Sequence, residues 1–389
     1  MNSIFYSKAF LNFIPDLLFK YLPLRILSVF KNKKQLWLFT ERPIDARDNG
    51  WVLYKWLVDN HPEINVVYAI HKKAQDYDNV KDLGKVVEFG SWKHWYYFML
   101  SSICCGTQWD LGIPNTMCFL AMRNILRPKS KRVFLQHGIT KDYMSQGRKC
   151  KLFADIFVCG AYPEWKYISD NFGYHDGEVK YLGFARFDRL INSNTKQQIL
   201  YMPTWRAGIG KNEDITITIY YKRITSLLSS KELNSFLKNN NIEFVFYLHP
   251  AIRNWKHFFT PFGNDKIKIL NNDDYDLQKL ICSANLLITD FSSIYFDFAY
   301  LNKPVIYYQF DYEDYRNKHY KEGYFDYLKD GFGPIENEEK SLIDRINSFF
   351  ASGWKVSKIY EKRVERFFPI RDNNNCQRHF DALCELEKR

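Results

Sequence analysis

Short apolar runs separated by amphipathic segments recur from Leu36 to Phe310, and this alternation leaves few folds open. Strand patterns at 36–40, 65–70, 86–89, 103–105, 132–136 and 155–159 are interleaved with helical patterns at 49–59 and 92–100. A second series opens near Gln198, with strands at 199–202, 243–248, 266–270, 286–289 and 305–310 and helical patterns at 222–239 and 275–283. Repeated βα units of this kind join parallel strands through right-handed crossovers. At 389 residues the chain exceeds one ordinary domain, so two units are expected. The polar stretch 190–196 is the natural linker. The expected organisation is amphipathic helices over 1–34, Rossmann-like units over 35–192 and 193–350, and helices over 351–389 that brace the first half.

The stretch ITDFSSIYFDFAYLNKPVIYY, 288–308, reads as a strand end, a turn, a helix from about Ser293 to Leu301 and a further strand from Val305. The hydroxyls of Ser292 and Ser293 and the first-turn amides converge there, which suits an anion and equally suits a plain helix cap. Ligands of open α/β sheets lie beyond the carboxyl ends of the strands, and three further polar sets fall at such ends. His137 stands in FLQHGITKDY, 134–143, with Gly138 allowing a tight turn. Thr204 and Arg206 end YMPTWR, 201–206, ahead of Gly208, Gly210 and Lys211. His249 stands in LHP, with Arg253 behind it. A histidine titrates near neutrality and serves as a general base or, protonated, faces a diphosphate. An arginine holds phosphate through its planar fork. Each set alone has an ordinary structural role, but the recurrence at four strand ends favours an anion site. Asp45, Arg47 and Asp48, ahead of the helix at 49, either touch an acceptor or cap that helix.

Fifty-five Lys and Arg against 44 Asp and Glu give a net charge of +11, which favours an anionic partner without choosing among nucleic acid, anionic lipid and a phosphorylated substrate. The eight cysteines form no C-x-x-C pair and read as reduced thiols of a cytoplasmic protein, without a disulfide or zinc framework. Neither a Walker loop nor a G-x-G-x-x-G turn is present, so no cofactor and no metal are expected. No apolar run of about 20 residues occurs, which predicts no membrane-spanning helix. Phe5, Phe10, Phe13, Ile14, Leu17, Leu18, Tyr21 and Leu22 recur at helical spacing, with Lys31, Lys33 and Lys34 following. Such a segment lies on an anionic leaflet or packs on the first domain as a hairpin.

The motifs QHG, LGFARFDRL (182–190), YMPTWR, LHP and ITDFSSIYFDFAYLNKPVIYY, in that order, resemble the CDP-glycerol glycerophosphotransferase family of teichoic acid synthesis. The resemblance runs from about Leu36 to the last helix. It implies a GT-B fold, two Rossmann-like domains facing a cleft, in a peripheral enzyme on the cytoplasmic face of the cell membrane. It also implies a CDP-polyol donor, glycerol phosphate foremost, a lipid-linked glycan acceptor of a teichoic acid or capsule polymer, an anionic membrane surface as partner, and no nucleic acid. Carried over by motif, His137 is the base for the acceptor hydroxyl and His249 acts at the donor diphosphate. Thr204, Arg206, Ser292 and Ser293 match the diphosphate set, to which Asp290 and Lys303 are added by position. Gly138, Thr140 and Lys141 fall on the acceptor side. The chain departs from the family where HGTPLK is replaced by residues 137–141, HGITK, and where D-G-x-A-S is replaced by Asp372, Asn373, Asn374, Asn375 and Cys376. A nucleotide-sugar glycosyltransferase of the same fold, and a non-catalytic basic protein binding nucleic acid or membrane, are the other functions open to the sequence.

Overall fold

The computed structural model describes residues 14–30, 35–115, 129–193, 196–206, 214–271, 276–318 and 321–388. They fall into two compact units, the first of Met1–Ile139, Met144–Asp188 and Asp372–Arg389, the second of Thr140–Tyr143 and Arg189–Arg371.

The first unit is built on seven strands, β1 (Leu36–Thr40), β2 (Asn65–Ile70), β3 (Lys85–Glu88), β4 (Ile103–Gly106), β5 (Lys131–Phe134), β6 (Ile156–Cys159) and β7 (Val179–Tyr181). Their order is β3-β2-β1-β4-β5-β6-β7, every pair parallel. The near-continuous apolar runs follow from burial on both faces, as Trp37, Leu38 and Phe39 illustrate. Strand order reverses between β1 and β4, where Thr40, Gly106 and Phe134 lie abreast at the carboxyl edge.

The second unit holds β8 (Gln198–Tyr201), β9 (Glu243–Tyr247), β10 (Ile267–Leu270), β11 (Leu286–Thr289), β12 (Val305–Tyr308) and β13 (Ile335–Glu336), in the order β10-β9-β8-β11-β12-β13 and again all parallel. Its reversal lies between β8 and β11, where Tyr201, Phe246 and Ile288 are abreast. Ile199, Tyr201, Phe244, Phe246 and Ile288 form a core with Ile224, Leu227, Leu233, Leu237, Leu342 and Ile346 of the flanking helices.

Several boundaries differ from the sequence expectation. The helical region 222–239 is two helices, Ile219–Ser229 and Lys231–Asn239, because the Ser230 hydroxyl accepts from Leu233 N and caps the second. The helix expected from Ser293 covers only Tyr295–Tyr300. The C-terminal brace is narrower than expected, since Lys358–Phe367 belongs to the second unit and only Asn375–Lys388 returns to the first. Asp188 anchors that last helix by accepting from the amides of Asn375 and Cys376 at 2.9 and 2.7 Å. At its far end Glu387 accepts from Gln35 N at 2.9 Å, and Phe380 stacks on His61 at 3.6 Å.

Phe5, Phe10, Phe13, Lys31, Lys33 and Lys34 lie outside the described residues. From Ile14 to Phe30 the chain is helical, with a π turn at Leu17–Tyr21. Tyr21 and Leu24 are buried in the cluster that includes Trp95 and Phe98, while Ile14, Leu18, Phe19, Leu22 and Ile26 are exposed, Phe19 at 72%. The packing on the first domain therefore accounts for the buried face of this segment. No helix among the described residues is long and apolar enough to cross a membrane.

Candidate active site

In the first unit the site is organised around the turn that follows β5. Gln136 adopts a left-handed conformation, φ 56°, which side chains other than glycine enter at a cost. Its amide is held by Val158 O at 2.6 Å and by the buried carboxylate of Glu164 at 3.0 Å. This turn leaves His137 exposed at the carboxyl edge of the sheet. The backbone around it is clamped from two sides. Asn49 Nδ2 donates to Gln136 O at 2.8 Å, and Arg186 Nη1 donates to both His137 O and Asp48 Oδ1 at 3.1 Å. Asn49 Oδ1 in turn accepts from Arg186 N at 3.1 Å.

The His137 imidazole reaches solvent, yet its protein surroundings lower its pKa through desolvation. Asp48 opposes this shift, whereas the Arg186 and Arg42 cations reinforce it. A neutral ring, the proton-accepting form, is therefore favoured near pH 7.

In the second unit the residues after β8 and β11 meet at the strand-order reversal. Asp290 Oδ1 accepts from Thr204 N at 2.7 Å and from Phe291 N at 2.5 Å, and Gln309 Nε2 donates to Asp290 O at 3.2 Å. Arg206 is 4% exposed and lies within 5.1 to 5.3 Å of the rings of Tyr220, Tyr315 and Phe291. Its fork binds Asp311 at 2.7 and 2.8 Å, Nη1 donates to Thr204 O at 2.6 Å, and Nη2 pairs with Asp290 Oδ2 at 2.8 Å. Burial disfavours the guanidinium charge, but Asp290 and Asp311 outweigh it and hold the pKa above its usual value. Arg206 and Asp290 are thus engaged with protein partners that join the ends of β8, β11 and β12.

Thr204 is half-buried, and its hydroxyl oxygen is buried without a hydrogen-bond partner among the described residues. Ser292 and Ser293 are half-buried beside Asp290, with Ser292 Oγ accepting from Ile294 N at 3.4 Å. Their helix is too short to act as a dipole of its own, so hydroxyls and turn amides supply the polarity. His249 follows β9, and its Nδ1 accepts from Ala251 N at 3.1 Å. That bond puts the proton of a neutral ring on Nε2 and makes Nε2 a donor. The side chain of Arg253, and Gly208, Gly210 and Lys211, lie outside what is described.

Two expectations need correction. Lys303 precedes β12 and so lies at the amino edge of the sheet, opposite the candidate site. Its Nζ donates to the carbonyls of Ile281, Cys282 and Ala284 at 3.1, 2.6 and 2.8 Å, capping the helix Leu277–Ser283. Thr140 and Lys141, expected on the acceptor side, belong to the second unit, where Tyr143 bridges to Lys321. Both are buried, and the Lys141 ammonium is paired with Asp142, which also takes Arg316 Nη1 at 2.8 Å. Burial lowers the Lys141 pKa against the pull of Asp142. Gly138 stays with His137 in the first unit. The residues 372–376, where the family pattern is lost, lie in the first unit against Asp188. Among the described residues, no three His, Cys, Asp or Glu side chains are grouped to hold a metal ion.

Asn49, Glu164, Asp311 and Arg316 lie in no recognisable motif, and Gln136 stands in QHG, where the motif alone points to its neighbour His137. Arg186 and Asp188 lie in LGFARFDRL, and the conjunction of that motif with QHG is the one signal that could have found them.

The chain belongs to the CDP-glycerol:poly(glycerophosphate) glycerophosphotransferase family, which it matches over residues 22–385. It is 33% identical over 382 residues to the minor teichoic acid biosynthesis protein GgaB of Bacillus subtilis (strain 168), covering 93% of this chain and 41% of that protein. To the teichoic acid poly(glycerol phosphate) polymerase of the same strain it is 23% identical over 363 residues, 87% of this chain and 47% of that protein. The chain thus spans less than half the length of these two relatives. A solved structure of the wall teichoic acid polymerase TagF superposes with a TM-score of 0.69 at 14% identity, over 100% of this chain and 99% of that one. The fold is therefore the expected α/β fold of GT-B type.

Proposed function

We propose that this chain transfers a polyol phosphate, glycerol phosphate foremost, from a CDP-activated donor to a hydroxyl of a lipid-linked or polymeric cell-surface glycan, releasing CMP. The observation that carries the reading is His137, exposed on a clamped turn and biased to its neutral form, in a chain of this family. The acceptor hydroxyl gives its proton to His137, and its oxygen forms a bond to the phosphorus that bears the polyol. The bond from that phosphorus to the bridging oxygen breaks, and the electron pair leaves with CMP. His249 Nε2, the Thr204, Ser292 and Ser293 hydroxyls and the turn amides receive the diphosphate charge, with Arg206 and Asp290 holding the strand ends that present them. Positioning and charge complementarity supply most of the rate in such transfers.

The acid limb of kcat/KM follows from the sign of the His137 shift. Lowered below the ordinary value of about 6.5, the imidazole stays a base to lower pH, so the limb is expected below pH 6.5 in a pH profile of CMP release. A limb above 6.5 contradicts the assignment.

The exposed stripe Ile14, Leu18, Phe19, Leu22 and Ile26 fits a peripheral site on the anionic cytoplasmic leaflet, which the net charge of +11 favours. Each large side chain withdrawn from water adds about 1.5–3 kcal/mol. The double substitution Phe19→Ser, Ile26→Ser should therefore weaken sedimentation with phosphatidylglycerol vesicles by about tenfold or more. Unchanged sedimentation refutes this surface.

A further inference from the structure

Glu41 is the residue that follows β1, at the strand-order reversal of the first unit. In an open α/β sheet this is the crevice where nucleotide phosphates meet the amides that open the next helix. Here the helix Asn49–Asn60 begins at that point, and the amide of Trp51 in its first turn is taken by Glu41 together with those of Arg47 and Asp48 just ahead of it. Glu41 Oε1 accepts from Trp51 N at 2.7 Å and Asp48 N at 3.1 Å, and Oε2 from Arg47 N at 3.1 Å and Asp48 N at 3.2 Å. The residue is 2% exposed. Gly50 makes room for it, since a Cβ there would stand 3.0 Å from Glu41 Cγ.

The same contacts lead to the candidate base. With Glu41 serving the helix start, Asp48 makes no cap bond with its own side chain, and its carboxylate pairs with Arg186. Arg186 also donates to His137 O, while Asn49, the next residue along, donates to Gln136 O. The order of the helix entry, 47–51, is thus fixed by Glu41 at one side and passed to residues 136 and 137 at the other.

We propose that Glu41 is a built-in substitute for a nucleotide phosphate: its carboxyl group closes the switch-point crevice of the first unit to nucleotides and positions the turn that carries His137. Glu41 is on this account a positioning residue, and the nucleotide is confined to the second unit. Burial, then the neighbouring Asp48, push its carboxyl up to about 8 against the pull of the Trp51 and Arg47 amides.

The inference rests on the reading of His137 as the base, and its test separates the two. Glu41→Ala leaves the amides facing an empty seat that formate fits. Turnover of the variant should fall about 10²-fold with the donor KM held within about twofold, and sodium formate should restore about tenfold of it. Formate, compared with sodium chloride at equal ionic strength, should also raise the Tm of the variant and leave the parent unchanged. The melting shift needs no turnover, so its absence counts against Glu41 alone, whereas absent CMP release by the parent counts against the transferase reading alone. If Glu41→Ala fails to fold, Glu41→Gln, which keeps the shape and one carbonyl acceptor, should lose kcat at constant donor KM. A folded variant with parental kcat, one whose loss and Tm formate leaves untouched, or a loss carried by donor KM, overturns the proposal.

Discussion

Replacing His137 with alanine is expected to lower CMP release by about 10²–10⁴-fold, the usual contribution of a positioned general base, while leaving the melting temperature close to that of the parent. The separation is expected because the ring is exposed and the clamp acts on the backbone. Arg186 holds the His137 carbonyl, and Asn49 holds that of Gln136, and an alanine keeps both. Surface truncations of this kind usually shift stability by no more than about 0.5 kcal/mol. A variant that keeps most of its activity with the fold intact removes the base assignment, and one that loses activity only by unfolding leaves His137 a structural residue.

Arg206→Ala is expected to act in the opposite way, through stability first. The change strands the Asp290 and Asp311 carboxylates, which are 1% and 9% exposed, without their cation, and frees the ends of three strands. Breaking a buried pair from one side costs about 3–5 kcal/mol, against a total stability of about 5–15 kcal/mol for a domain. Urea unfolding should therefore show a large drop in midpoint, and Arg206→Lys should not recover it, because an ammonium cannot reproduce the fork on Asp311. A variant that unfolds like the parent but shows a raised donor KM would return Arg206 to the phosphate-binding role that its place in YMPTWR suggested.

The two parallel sheets were legible because buried parallel strands leave dense apolar runs, and nearly all the strands were found from them. β13 was not, being two residues long, and β7 carries Lys180 in its middle, which breaks the pattern. The last helix, Asn375–Lys388, has a polar start at Asn375 that hides its register. Position along a strand was the stronger guide to the site. His137 stands three residues past Phe134, which ends β5, and His249 two residues past Tyr247, which ends β9. Lys303 failed by the same logic, since it precedes a strand rather than follows one. Arg206 and Lys141 carry the right charge in the right motifs, but sequence does not show that Asp311, 105 residues away, or the adjacent Asp142 has already taken each cation. Glu41 lies in no motif, and the QHG motif does not show what Gln136 does, because their roles are set by backbone amides and by a left-handed turn that only folding brings about.

Transfer of a polyol phosphate with CMP as the leaving group is the reaction proposed for this chain. It is tested most directly by incubating the protein with CDP-glycerol, CDP-ribitol or nucleotide sugars, each with a lipid-linked glycan acceptor mimic, and identifying the released nucleotide. Acceptor-dependent CMP is expected from a CDP-polyol, with CDP-glycerol foremost, and none from the nucleotide sugars. Release of UDP or GDP from a nucleotide sugar, with the CDP-polyols left intact, would contradict it.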